Sequence, residues 1–217
     1  MFTYILLTLK NLDEILLLQN EVTSKLDNED TFRASSKEML EKFLTNGYIM
    51  GAIANNKLIA YRILYTPNED IDNLGYDLKF NAQDFKKVIH FETAIVHPDF
   101  RGNGLQVLLT EEIKKHISIE DKIICATCYP LNYPSLSNLL KLGLTIQMLK
   151  MKYNNNIRFI LSNKIIQIIP NEIISCKADD FEKIKSLIEN GYIGTKVVKS
   201  ENSKIFNISF QKRELIC

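Results

Sequence analysis

Val96-His97-Pro98-Asp99-Phe100-Arg101-Gly102-Asn103-Gly104-Leu105-Gln106 decides the reading of this chain, because it carries a strand end through a glycine turn into a helix start. Upstream, Val88 to Val96 is rich in β-branched and aromatic residues and stops before Pro98, which cannot donate to a sheet ladder. Downstream, Leu105, Leu108, Leu109 and Ile113 recur at helical spacing, with Glu111 and Lys115 as an i,i+4 pair on the outer side. A helix is expected to begin near Asn103 or Gly104. Its first turn leaves N–H groups without partners at the positive end of the macrodipole, which favours an anion, and Gly102 and Gly104 let the backbone come close. The stretch points to a phosphate-bearing ligand held by charge-assisted hydrogen bonds without a metal. The other reading of an Arg-Gly-x-Gly turn is a tight strand-to-helix connection with no ligand. A Walker Gly-x-x-x-x-Gly-Lys-Ser/Thr and the third glycine of a dinucleotide fold are both absent, which removes NTPase and dehydrogenase readings.

Val96-x-Pro98-x-x-Arg101-Gly102-x-Gly104 followed by an apolar helix resembles the acetyl-CoA signature of the GNAT superfamily of N-acetyltransferases. A second segment adds to it. After a strand at Ile123 to Thr127, the run from Asn132 to Leu144 resembles the family's Asn-x-x-Ala/Ser motif and its later Lys-x-Gly-Phe, here Lys141-Leu142-Gly143-Leu144. The resemblance covers roughly residues 1 to 163 and is most specific between 92 and 144.

It implies a GNAT-like fold of the α/β (α+β) class, with a mixed, mostly antiparallel central sheet flanked by helices. It also implies acetyl-CoA as co-substrate and transfer of its acetyl group to a primary amine of a small molecule or peptide. By the same resemblance, backbone groups of Ile95 and Val96 hold the pantetheine arm, while Arg101, Gly102, Asn103, Gly104, Leu105 and Gln106 hold the diphosphate. Asn132, Ser135 and Asn138 contact the cofactor, Glu92 is the general base and Tyr133 the general acid. Asn132 reads equally as a helix N-cap, and Glu92 as a solvated or salt-bridged strand residue. Two positions depart from the family: Gln106 stands where Gly or Ala is usual, and Leu139 where many members carry a proton-donating Tyr. The missing Tyr at Leu139 keeps open a non-catalytic acyl-CoA-binding or regulatory module, and an aminoacyl or longer-chain acyl transferase, which would share the fold but need a wider cleft, stays open as well.

With 217 residues, 46% hydrophobic and 24% charged, the chain suits one full domain, expected over 1–165, and a small β-α-β-β C-terminal extension over 166–217 whose role the residues do not fix. A net charge of +1 gives no basic stripe, so nucleic acid is not an expected partner. Apolar runs such as Ile15 to Leu18 are too short to cross a bilayer, and Met1 to Leu9 lacks the basic and small-residue flanks of a secretory signal. No membrane association and a cytoplasmic location are expected, and a homodimer is left open. Cys125 and Cys128 sit at a strand end rather than a helix start and read as ordinary strand cysteines. His90, His97 and His116 lack metal-ligand spacing, and Asp70-x-Asp72 with Gly75 falls short of a calcium loop, so no metal is expected.

Ahead of the central strand the order reads β-α-α-β-β. Asn11-x-x-Glu14 and Ser35-x-x-Glu38 are the expected helix caps, with Ile15, Leu18, Val22 and Leu26 as a buried stripe. Strands at Tyr48 to Ala54 and Leu58 to Tyr65 meet at a tight Asn55-Asn56 turn, and Pro67 to Asp84 reads as a long acidic connector rather than a substrate lid. Beyond Gly143 a hairpin turns around Asn154 to Asn156, and Pro170-Asn171 marks the expected boundary. The tail reads as strand 172–176, helix 179–190 and strands 193–199 and 204–210, the last two joined by a turn at 200–203.

Overall fold

The computed structural model describes residues 2–25, 32, 34–153, 155–164, 168–199 and 205–214. In chain order the elements are β1 (Thr3–Leu6), α1 (Leu12–Thr23), α2 (Lys37–Asn46), β2 (Gly47–Ala54), β3 (Lys57–Tyr65), α3 (Leu74–Asp77), α4 (Ala82–Phe85), β4 (Val88–Val96), α5 (Leu105–Lys114), β5 (Ile123–Cys128), α6 (Tyr133–Lys141), β6 (Thr145–Lys152), β7 (Asn156–Ser162), β8 (Ile168–Lys177), α7 (Phe181–Glu189), β9 (Tyr192–Val198) and β10 (Asn207–Arg213). Short 3-10 turns occupy Leu9–Asn11 and Pro98–Phe100. The elements fall into two compact units, residues 1–73 with 81–122 and residues 74–80 with 123–217.

In the first unit β1, β2, β3 and β4 form an antiparallel sheet in that order. Asn55 and Asn56 join β2 to β3 with φ of 50° and 59°, the left-handed pair that a two-residue hairpin needs to match strand twist. Tyr61, Ile63 and Tyr65 of β3 alternate onto one face, where they meet Ile15, Leu18 and Val22 of α1 and Leu40 and Phe43 of α2. Leu26, the last residue of the expected stripe, lies outside the described residues. Each fully buried Ile or Leu here contributes about 1.5–3 kcal/mol relative to exposure. Helix α5 packs on β2, β3 and β4 through buried Leu105, Leu109 and Ile113.

The caps differ from the sequence expectation. Asn11 flanks α1 without a side-chain cap, and the capping box forms one turn earlier, between Thr8 and Asn11. Ser36 rather than Ser35 caps α2, accepting the Met39 N–H at 3.2 Å. Ser35 is instead buried: its N–H and C=O pair with the Gln19 side-chain amide at 3.0 and 2.9 Å. The 67–84 connector holds α3 and the start of α4, where Asn81 accepts the Gln83 and Asp84 N–H groups.

In the second unit the antiparallel sheet runs β5-β7-β6-β9-β10-β8. The 166–217 extension therefore continues the sheet begun by β5 to β7: Ile146 of β6 pairs with Gly194 of β9. A Cβ at Gly194 would lie 2.7 Å from Ile146 Cδ1, so a larger residue there would force the Ile146 side chain to shift. β8 is longer than the expected 172–176 and takes in the backbone of Pro170-Asn171; as an edge strand it tolerates a missing N–H. β10 starts at Asn207, later than expected, because the preceding Phe206 is buried with its C=O taken by Ala178 N–H. Lys204, the 200–203 turn and Asn154 lie outside the described residues. Lys150 and Lys152 of β6 grip the buried Asp77 carboxylate of α3 at 2.5 and 2.7 Å. Burial alone would raise that carboxyl, and the two ammonium hydrogen bonds outweigh it and hold it below the usual range.

Candidate functional site

The turn after β4 is fastened on its strand side and open on its helix side. Val96 pairs with Ala60, and His97 N–H donates to Ile59 C=O at 2.8 Å, which ends the ladder. His97 Nδ1 accepts the Asp99 N–H at 3.3 Å, so Nε2 carries the proton it shares with Glu21 Oε1 of α1 at 3.1 Å. That hydrogen bond holds the Glu21 carboxyl below its ordinary range. The His97 ring also meets Phe100 edge to face at 5.9 Å.

Past Arg101 the chain turns left-handed at Gly102 (φ 83°) and again at Gly104 (φ 68°), the N-cap of α5. No side chain caps this helix and no acid stands in its first turn. The Asn103 side-chain amide donates to Phe100 C=O at 3.0 Å. Among the described residues, no protein acceptor takes the backbone N–H of Gly102, Asn103, Gly104 or Leu105. A Cβ built on Gly102 or Gly104 meets nothing within 4 Å. Four donors at the positive end of a helix, with empty space before them and Leu105 anchored by a buried side chain, fit the diphosphate of a nucleotide-bearing ligand.

β4 itself is irregular where chemistry would need it to be. Arg62 and Leu64 of β3, two residues apart, pair with Ala94 and Phe91, three residues apart, so β4 carries one extra residue between Phe91 and Ala94. Such a bulge re-aims side chains and is common beside active sites. Glu92 stands at this bulge with 27% of its side chain exposed, and its Oε1 lies 3.0 Å from Nδ1 of His90, which is 4% exposed. Ile95 is buried opposite Tyr61, and half-buried Gln106 sits in the first turn of α5, where its C=O accepts the Thr110 hydroxyl at 2.9 Å.

In the second unit, the predicted residues gather on the first turns of α6. Asn132 is the N-cap, its side-chain oxygen accepting the Ser135 N–H at 3.2 Å. The Tyr133 ring meets Phe206 edge to face at 5.1 Å and lies under the Lys199 ammonium at 4.6 Å, both partners coming from the extension. Asn138 is half-buried, and Leu139 is buried in the core. Burial pushes the Cys125 and Cys128 thiols up to about 12, as befits strand cysteines rather than thiolates.

The structure thus brings Glu92, Ile95, Val96 and Arg101 to Gln106 onto β4, the turn after it and the start of α5, and Asn132, Tyr133, Ser135 and Asn138 onto α6 and its N-cap. Sequence reasoning missed His90 and the bulge. The signal for His90 was its spacing of two from Glu92, which puts both side chains on one strand face. Among the described residues no three His, Cys, Asp or Glu side chains group as a metal site, and no helix is long and apolar enough to cross a membrane.

No family model and no curated protein matches this sequence. Solved structures match its shape. An acetyltransferase of the GNAT family from Streptococcus pneumoniae superimposes with a TM-score of 0.55 at 15% identity, covering 75% of this chain and 98% of that one. The ribosomal-protein-S18-alanine N-acetyltransferase from Escherichia coli gives 0.55 at 14% identity, covering 79% and 98%. A putative acetyltransferase from Salmonella typhimurium, solved with its cofactor acetyl-CoA, gives 0.54 at 14% identity, covering 75% and 92%. The fold is that of the GNAT acetyltransferases: a mostly antiparallel sheet flanked by helices.

Proposed function

We propose that this protein is an acetyl-CoA-dependent N-acetyltransferase acting on a primary amine of a small molecule or peptide. The observation that carries the reading is the set of four N–H groups at Gly102, Asn103, Gly104 and Leu105, open to a diphosphate. The fold supports it, as does the acetyl-CoA bound by the Salmonella typhimurium neighbour. The domain over 1–165 would hold the site, with 166–217 as an extension. When bound, acetyl-CoA supplies an acyl group activated as a thioester.

The chain's own residues then have defined work. Neutralising a Lys-like amine, of ordinary pKa about 10.4, at pH 7 costs about 4.6 kcal/mol, at 1.36 kcal/mol per unit. Glu92, partly exposed at the bulge, is the group to accept that proton, directly or through one water. Backbone groups of Ile95 and Val96 would align the pantetheine arm as an added strand. Arg101 and the first turn of α5, including Gln106, would hold the phosphates. Asn132, Ser135 and Asn138 would contact the cofactor, and Tyr133 would return a proton to the leaving thiolate.

A second reading, a module that binds acyl-CoA without turning it over, is favoured by one observation: Leu139, buried in the core, fills the place where many relatives keep their acid. Calorimetry with acetyl-CoA and a thiol-release assay over a panel of amines separate the two. The transferase reading expects binding, turnover with at least one amine, and a loss of about 10²- to 10⁴-fold in kcat for Glu92→Gln with acetyl-CoA affinity unchanged. Binding without turnover of any amine would establish the module instead.

A further inference from the structure

We infer that His90 is a positioning residue for Glu92: its Nδ1–H fixes one carboxylate oxygen so that the other faces the acceptor amine. The inference rests on the transferase reading for its use, and on geometry for its existence. His90 and Glu92 stand two residues apart on β4 with 3.0 Å between Nδ1 and Oε1. An ionised carboxylate only accepts hydrogen bonds, so the shared proton sits on Nδ1. The imidazole is 4% exposed and its neighbours leave it little freedom.

On β3, Tyr65 pairs with His90 across the strands, and the two rings meet edge to face at 6.4 Å. Phe43 of α2 also packs edge to face on Tyr65, at 5.0 Å. The Tyr65 hydroxyl donates to Asp70 Oδ2 at 3.2 Å, and Asp70 is in turn ion-paired with Lys42 of α2, whose ammonium also lies 5.3 Å from the Tyr65 ring centroid. A continuous run of contacts therefore extends from Lys42 through Asp70 and Tyr65 to His90, and ends on the carboxylate at the bulge.

The bulge explains why such a prop is needed. An extra residue between Phe91 and Ala94 disrupts the ladder at the point where Glu92 leaves it, so the strand alone does not hold the side chain. A glutamate has three side-chain torsions, and each freely rotating one dilutes the productive orientation. A hydrogen bond from a rigid, buried imidazole removes most of that freedom while leaving Oε2 available. The proton taken from the amine nitrogen then resides on Oε2, and the imidazole proton stays where it is.

The test uses the full chain in two measurements. Histidine-selective ¹⁵N NMR reads the tautomer without any substrate: His90 should show a protonated Nδ1, and Glu92→Ala should abolish that preference. In the thiol-release assay with the amine panel, His90→Leu should lower kcat about 10- to 100-fold with the KM for acetyl-CoA within twofold, as expected when a base is misplaced rather than lost. His90→Asn, which keeps a donor near the Nδ1 position, should restore the rate to within about threefold, and His90→Leu should cost nothing further in a Glu92→Gln background. An Nε2-protonated His90, a failed Asn rescue, or an equal loss from His90→Leu with and without Glu92 would each overturn the inference. If wild-type protein turns over no amine, the transferase reading fails by itself, and the tautomer still decides whether His90 holds Glu92.

Discussion

Two strand-to-helix turns in this chain end in opposite states. After β5, Asn132 opens α6 and spends its side-chain oxygen on the Ser135 N–H, so the helix start closes on itself. After β4, Gly104 opens α5 and has no side chain to spend, and among the described residues the N–H groups of Gly102, Asn103, Gly104 and Leu105 have no protein acceptor. Capping stabilises a helix by about 1 kcal/mol, and the chain forgoes that at α5 while holding two glycines in left-handed conformations nearby. An uncapped start is not peculiar to α5, since α1 also lacks a side-chain cap; what sets α5 apart is its two glycines and the N–H groups of residues 102–105 left without a protein acceptor among the described residues.

Four experiments test this contrast. The largest effect is expected from Gly104→Glu, which aims a carboxylate at the open donors and strains a backbone at φ 68°. Acetyl-CoA affinity measured by calorimetry should fall at least about 100-fold, since each lost charge-assisted hydrogen bond is worth roughly 1.5–3 kcal/mol. An undiminished affinity would break the contrast outright.

The closed turn should shield the end of its own strand. Burial raises the Cys125 and Cys128 thiols to about 12, against about 8.5 in an unfolded chain. At pH 8, iodoacetamide should alkylate them in the native protein at least about 30-fold more slowly than in urea. Because these pKa values are raised on folding, the associated stability is intact below about pH 8.5 and is lost as pH climbs toward 12. Urea midpoints followed from pH 8 to 10 should therefore fall.

A smaller effect, on folding, belongs to Asn132→Ala. Loss of the cap should cost about 1 kcal/mol and lower Tm by about 2–4 °C, read by calorimetric scanning, with a smaller effect on acetyl-CoA affinity than Gly104→Glu. The smallest belongs to Gln106→Ala: donors on the backbone do not depend on this side chain, so affinity should change by less than about threefold.

The same contrast explains what the sequence disclosed and what it withheld. β4, α5 and the turn between them were legible because β-branched alternation, Pro98 and two glycines each constrain the backbone locally. The β-α-α-β-β front and the tail's β-α-β-β order were legible for the same reason. Cap positions slipped by a residue or a turn because tertiary contacts chose among adjacent polar residues: Gln19 claimed Ser35 and left the cap to Ser36. Register was out of reach. Nothing in Glu92-Thr93-Ala94 announces a bulge, since the extra residue is defined only by what Arg62 and Leu64 face across the ladder. The His90–Glu92 pair and the packing of Phe206 and Lys199 on Tyr133 depend on placement in space, and the latter joins residues more than sixty positions apart in sequence.

The most direct test is a titration of ¹⁵N-labelled protein with acetyl-CoA, watching the backbone amides by NMR. The signals of Gly102, Asn103, Gly104 and Leu105 should move furthest and saturate together, with the downfield shifts of amides that gain anionic acceptors. If those four stay in place while acetyl-CoA binds elsewhere, the open helix start is not the phosphate site and the transferase reading loses its support.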